Sequence, residues 1–234
     1  AKGSKAVVDL TITPSGDPEV ITIPRFTQFQ GDVDGINYIW CTANAHALNI
    51  NANLIYTVSN VELTQGIPIS YRYTAETADV DQRYLLPNAN IDTDTLTVTV
   101  QTSKTESASF AYDLANDITT VNSTSRHYFL DEVDEGLYEV QFGDGILGKE
   151  VSNGNIITLA GLVTDTTATN GCKNFTTVAD VGGYSNVKIV TIDAAGGGAA
   201  AADIQEIKFN APKSFDAQNR CVTVYDYISL VKRD

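Results

Sequence analysis

The chain has 234 residues and a mass of 25.1 kDa, with 43% hydrophobic and 19% charged residues. That is enough apolar material to bury a core without disulfide or metal support, which excludes the disordered classes, and no apolar run approaches the ~20 residues of a membrane-spanning helix. Fifteen basic against 29 acidic residues leave a net charge of −14, which argues against a nucleic-acid backbone or an anionic membrane as the main partner, since both would repel this surface.

From the N-terminus, Ala6, Val8, Leu10 and Ile12 alternate with Val7, Asp9 and Thr11, the period-two pattern of a strand with one apolar face. The cluster at 14–18 reads as a turn, Val20 to Ile23 as a short strand closed by Pro24, and 31–35 as another turn before a strand from Asn37 to Thr42. A further apolar alternation runs through Leu54 to Leu63. Ile67, Ile69, Tyr71 and Tyr73 follow, with Pro68 marking a strand start or an edge. Thr95 to Val100 interleaves threonine with aliphatic residues, which suits a pleated surface. Tyr138, Val140 and Phe142 form one face of a strand, and Gly143-Asp144-Gly145 follows at once. Asp-Gly between extended runs predicts a hairpin, because a type I′ turn needs positive φ at both central residues. Ile156 to Val163 and Val187 to Ile192 are two more strands, with a loop at 164–171 between them.

The last forty residues change character. Asp193 to Gly198 reads as a flexible connector. Asp203, three residues before Glu206, opens a helix that must end near Asn210 because Pro212 follows. A second helix starts at Thr223, with Val224, Tyr227, Ile228 and Val231 on one stripe and Lys232 and Arg233 at its C-terminal end. The predicted class is mainly β with a small α region at the C-terminus, α+β overall, multi-lobed and built from short antiparallel strands. Residues 1–86 together with 176–234 are expected to form a β-rich lobe with the C-terminal helices, and 87–175 an inserted β lobe containing the Phe142-Gly143-Asp144-Gly145 hairpin.

Motifs for chemistry are sparse. The two histidines, His46 and His127, have no serine elbow to serve, so a Ser/His/Asp triad lacks local support. Cys41, Cys172 and Cys221 form neither a disulfide framework nor a zinc site; reduced thiols suit cytosolic assembly. The pairs Asp32/Asp34 and Asp92/Asp94 do not continue into a calcium-binding ligand series. The acidic run 131–135 has no aromatic cleft around it of the kind a glycosidase needs, since Trp40 is the single tryptophan. Gly143, Gly145 and Gly148 match a dinucleotide-binding string, but strand patterns on both sides replace the required helix, so turns explain the glycines. The reading is a non-enzyme without cofactor or metal. Gly143, Asp144, Gly145 and Gly148 are assigned as a structural turn. Arg220, Tyr225 and Tyr227 are interface candidates, because Tyr and Arg are the types enriched at interface centres. The chain has no initiating Met and stops directly after a helical pattern, which is read as the mark of a fragment.

Two stretches carry a resemblance. The run from Tyr128-Phe129-Leu130 through Gln141-Phe142-Gly143-Asp144-Gly145-Ile146-Leu147-Gly148-Lys149 resembles the central motif of the baseplate J-like family, the wedge proteins of contractile-tailed bacteriophages, and within it the large ring-forming wedge subunits of T-even-like phages. Phe209 to Lys213 and then Gln218 to Tyr227, where Arg220, Val222, Thr223, Asp226 and Tyr227 match an Arg-x-Val-Thr-x-x-Asp-Tyr string, are similar to that family's second signature; Val61 to Gly66 also fits. Cys221 and the alanines 199–202 depart from it. The resemblance implies a structural subunit in a ring around the tail hub, paired with copies of itself and with other wedge proteins. Its implied site is the virion tail baseplate, assembled in the host bacterial cytoplasm, without nucleic-acid binding or membrane insertion. A β-rich receptor- or carbohydrate-binding module is the alternative.

Overall fold

The computed structural model describes residues 1–217 apart from 15, 17, 50–54, 80–81 and 117. Ala1–Ala199 makes up one compact unit, and the chain from Ala200 on belongs to a second.

The first unit holds fifteen strands among its described residues: β1 (Lys5–Ile12), β2 (Val20–Ile23), β3 (Gln28–Val33), β4 (Ile36–Thr42), β5 (His46–Asn49), β6 (Tyr56–Gln65), β7 (Ile67–Thr74), β8 (Tyr84–Leu86), β9 (Ile91–Gln101), β10 (Ser109–Leu114), β11 (His127–Glu132), β12 (Tyr138–Phe142), β13 (Ile156–Val163), β14 (Phe175–Thr177) and β15 (Val187–Gly196). They form a six-stranded sheet in the order β14-β3-β4-β6-β1-β15, a seven-stranded sheet in the order β7-β13-β9-β10-β11-β12-β8, and the small pair β2-β5.

Both large sheets curl almost to closure. In the first, the segment leading into edge strand β14 meets edge strand β15 through backbone: the Gly171 N–H donates to the Ala195 carbonyl at 2.7 Å, and the Ala195 N–H to the Cys172 carbonyl at 2.9 Å. In the second, the Tyr73 hydroxyl of edge strand β7 donates to the Leu85 carbonyl of edge strand β8 at 2.6 Å. Closure spares the edges the unpaired backbone that makes open sheets sticky. Each sheet wraps its own core. The first centres on Leu10, Ile12, Phe29, Trp40, Tyr56 and Leu63, capped by Ile21, Ile23 and Leu48 from β2 and β5. The second centres on Leu86, Ile91, Val98, Val140, Ile157 and Leu159. Inside it the rings of Tyr73, Tyr84, Phe142 and Tyr112 meet edge-to-face in sequence, at centroid separations of 5.7, 5.5 and 5.4 Å.

The expected α+β class is corrected. The described residues are nearly all β, with one α-helix among them, α1 (Ile204–Ala217), in the second unit. The helix expected from Thr223 lies outside the described residues. The strands are also not uniformly short or antiparallel: β9 has eleven residues, and β10 pairs with β11 in parallel. Pro212, expected to end the helix, sits inside it; proline removes one backbone donor but does not forbid helical φ. The predicted connector at 193–198 is strand as far as Gly196, which pairs with Lys5. Set against the expected lobe boundaries, β7 and β8 precede residue 87 yet belong to the second sheet, while β1 and β15 pair in the first.

Candidate functional site

Two places in the first unit gather the residues that sequence reasoning singled out or passed over: the turn at 143–149, and a polar seam between the sheets.

The turn begins where β12 ends. Its predicted form, a hairpin, is not what the chain builds, because β12 pairs with β11 and β8, whereas the next strand, β13, pairs with β7 and β9. Instead Asp144 closes the loop on itself: its Oδ1 accepts the backbone N–H groups of Ile146 and Leu147, both at 2.9 Å. Those two donors hold its carboxyl below the usual carboxylate range, Leu147 first and Ile146 second. The Gly145 N–H reaches the Gly148 carbonyl at 3.1 Å, and the loop is pinned to a neighbouring turn by Gly148 N–H to the Asn122 carbonyl (3.2 Å) and Lys149 N–H to the Ser125 carbonyl (2.8 Å). Gly145 and Gly148 have φ of +82° and +87°. Gly143 is needed for space, since a Cβ there would lie 2.3 Å from the Leu147 carbonyl oxygen. Ile146 stays 76% exposed at the tip.

A type I′ hairpin built on Asp-Gly does occur elsewhere. Asp34 and Gly35 have φ of +53° and +83°, and join β3 to β4 with Val33 opposite Ile36. The dipeptide signal was sound, but tertiary context chose which copy used it.

The run 131–135 lies at the end of β11 and a single 3₁₀ turn, closed by the Val133 N–H to the Leu137 carbonyl at 2.8 Å. Beside it, Arg83 pairs with Glu139: its Nε donates to Glu139 Oε2 at 2.7 Å, and Nη2 donates to the same oxygen. The hydrogen bond, then the charge of Glu139, raise the Arg83 pKa.

The seam was not foreseen. β6 crosses from the first sheet into β7 of the second through Gly66, whose φ is +153° and whose hypothetical Cβ would sit 2.8 Å from Leu162 Cβ. Next to it the fully buried Gln65 uses both ends of its amide. Oε1 accepts the Thr164 hydroxyl (2.7 Å) and the Asp165 N–H (2.9 Å), and Nε2 donates to Asp165 Oδ2 (2.7 Å). The Gly3 N–H donates to Asp92 Oδ2 at 2.8 Å, and the Asp94 N–H to Asp92 Oδ1 at 3.1 Å. Burial nonetheless pushes the Asp92 carboxyl up, because desolvation outweighs those bonds. Ser4 Oγ donates to Asn170 Oδ1 at 2.9 Å and forms a 2.8 Å bond with Thr169 Oγ1. Cys41, which donates to the Gly66 carbonyl at 3.5 Å, has its thiol pushed up to about 12 by burial and stays protonated. The signal that could have found this seam was polar residues, Gln65 and Asp92, within apolar strand patterns.

Arg220, Tyr225 and Tyr227 lie outside the described residues. Among the described residues no group of three or more His, Cys, Asp or Glu could hold a metal ion, and no helix is long and apolar enough to cross a membrane. His46 Nε2 and His127 Nδ1 are buried without a hydrogen-bond partner among those residues. No family model and no curated protein matches the chain.

Proposed function

We propose that the chain is a structural subunit of a contractile phage tail baseplate, part of the wedge ring around the hub, where it takes part in the ring's rearrangement on host contact. One observation carries the reading: two motif stretches, 128–149 and then 209–213 with 218–227, stand in family order in one chain. Support comes from the kind of body they belong to. A turn braced by backbone hydrogen bonds and two sheets locked by buried side chains suit a protein whose task is holding geometry. On this reading the chain is not an enzyme and needs no cofactor. Its partners are copies of itself and other wedge proteins, and it resides in the virion tail baseplate after assembly in the bacterial cytoplasm. Arg220, Tyr225 and Tyr227 are its proposed contacts.

Sedimentation velocity on the chain and on an Arg220→Ala, Tyr225→Ala double variant tests this. The expected outcome is concentration-dependent association that weakens in the double variant while the melting curve stays put. Unchanged association would overturn the assigned contacts. A chain that is monomeric at every concentration and binds a glycan array saturably would overturn the assembly role in favour of a carbohydrate-binding module.

A further inference from the structure

β10 runs obliquely between two neighbours. It pairs with β9 from Ser109 to Tyr112, then changes partner and pairs with β11 at Asp113 and Leu114, opposite His127 and Tyr128. Because β11 begins only at His127, a wedge opens between the first half of β10 and the turn that precedes β11. This wedge is a pocket of about 580 Å³.

Its lining is unusual for this chain. Acidic residues outnumber basic ones nearly two to one overall, yet here Arg126, His127 and Lys149 face one carboxylate, Asp113. The bases stand on fixed backbone: the Asp113 N–H donates to the Arg126 carbonyl at 3.0 Å, and the Lys149 N–H to the Ser125 carbonyl at 2.8 Å. The Arg126 guanidinium lies 4.0 Å from the centre of the Phe110 ring, which orients it without using its hydrogen-bond donors. Ion pairs among the described residues join Lys2 to Asp94, Lys5 to Glu62 and Arg83 to Glu139, and none neutralises Arg126 or Lys149. The turn adds the hydroxyls of Ser123 and Thr124, the second already donating to Asn122 Oδ1 at 2.8 Å and so left as an acceptor.

We infer that this pocket binds a small hydroxylated molecule carrying a single oxyanion group, a phosphate or sulfate ester. Two cations without an ion-pair partner among the described residues, against one carboxylate, suit one such group, and a polyphosphate would overrun that balance. The volume exceeds what an inorganic anion fills and lies in the range of small-molecule sites, leaving Asp113 and the two hydroxyls to bond the ligand's own hydroxyls.

Glucose 6-phosphate and glucose 6-sulfate are the probes, glucose the neutral control, followed by backbone amide NMR titration. Saturable shifts centred on 111–113, 123–127 and 149 with either ester, and none with glucose, are expected. Arg126→Gln and Lys149→Gln should each weaken binding about tenfold or more with an unchanged melting temperature, and Lys173→Gln should leave it unchanged. Shifts scattered over surface lysines, equal shifts with glucose, or binding that survives Lys149→Gln, a loop substitution that leaves the sheet intact, would overturn the inference.

Discussion

Asp144 and Asp92 are two carboxylates driven in opposite directions by their surroundings. Asp144 is exposed and accepts two backbone N–H groups, which hold its folded value down. Its contribution to stability is present above the ordinary carboxylate value of about 3.9 and is lost as pH falls through the lower folded value. Asp92 is raised by desolvation, so ionising it costs the folded state, and stability falls as pH rises from the ordinary value through the raised one. Asp144→Asn keeps the accepting oxygen, so its deficit relative to the parent should shrink in acid melts; a constant deficit down to pH 2 would reject the assignment. Asp92→Asn should cost about 1–3 kcal/mol, because an amide NH₂ would replace one of two oxygens that accept N–H groups, and it should flatten the decline on the alkaline side of the ordinary carboxylate value. The glycines of the same turn separate sterics from torsion. Gly145→Ala has room but must hold φ near +82°, a cost of about 1 kcal/mol. Gly143→Ala meets backbone at 2.3 Å and should lower the melting temperature more; the reverse order would refute the account.

At the scale of elements, α1 contradicts its own sequence. Asp203 caps it as expected, its Oδ1 accepting the Gln205 N–H at 2.7 Å, but the helix then continues through Pro212 to Ala217. A helix-interior proline costs about 3 kcal/mol relative to alanine, so Pro212→Ala should raise helical circular dichroism near 222 nm, and no rise would refute a continuous helix through Pro212. The strands teach the complementary point. β1, β7, β9 and β12 were legible from alternation, since each has one face on a core. β3, β10, β11 and β14 were not, because Gly31 interrupts β3, β14 has three residues, and β10 and β11 each bury a single side chain, Tyr112 and Tyr128, so neither shows an apolar alternation.

For the whole first unit, the seam at Gln65 is the coupling between two cores that otherwise have separate residues. Gln65→Leu would leave the Asp165 N–H and the Thr164 hydroxyl without their acceptor, at a cost of about 1–3 kcal/mol for each buried group stranded. It should also split one unfolding transition into two, because side-chain bonds from Gln65 no longer tie the sheets. A single transition with an unchanged denaturant slope would show that Gly3, Asp92 and the backbone crossing suffice.

By itself the sequence determined the β-rich class, the helix start at Asp203, the glycine-dependent turn after Phe142 and the order of the motif stretches. All of these are written in local chemistry: side-chain period, capping oxygens and the φ that glycine permits. Only the tertiary structure decided which Asp-Gly became a hairpin, how thirteen of the fifteen strands divided between two curled sheets while β2 and β5 paired apart, that Gln65 and Asp92 would be buried between those sheets, and that Arg126, His127 and Lys149 would line one pocket. Those outcomes depend on pairings between residues tens of positions apart, where closure of a sheet and desolvation of a polar group outweigh any preference a short stretch can express.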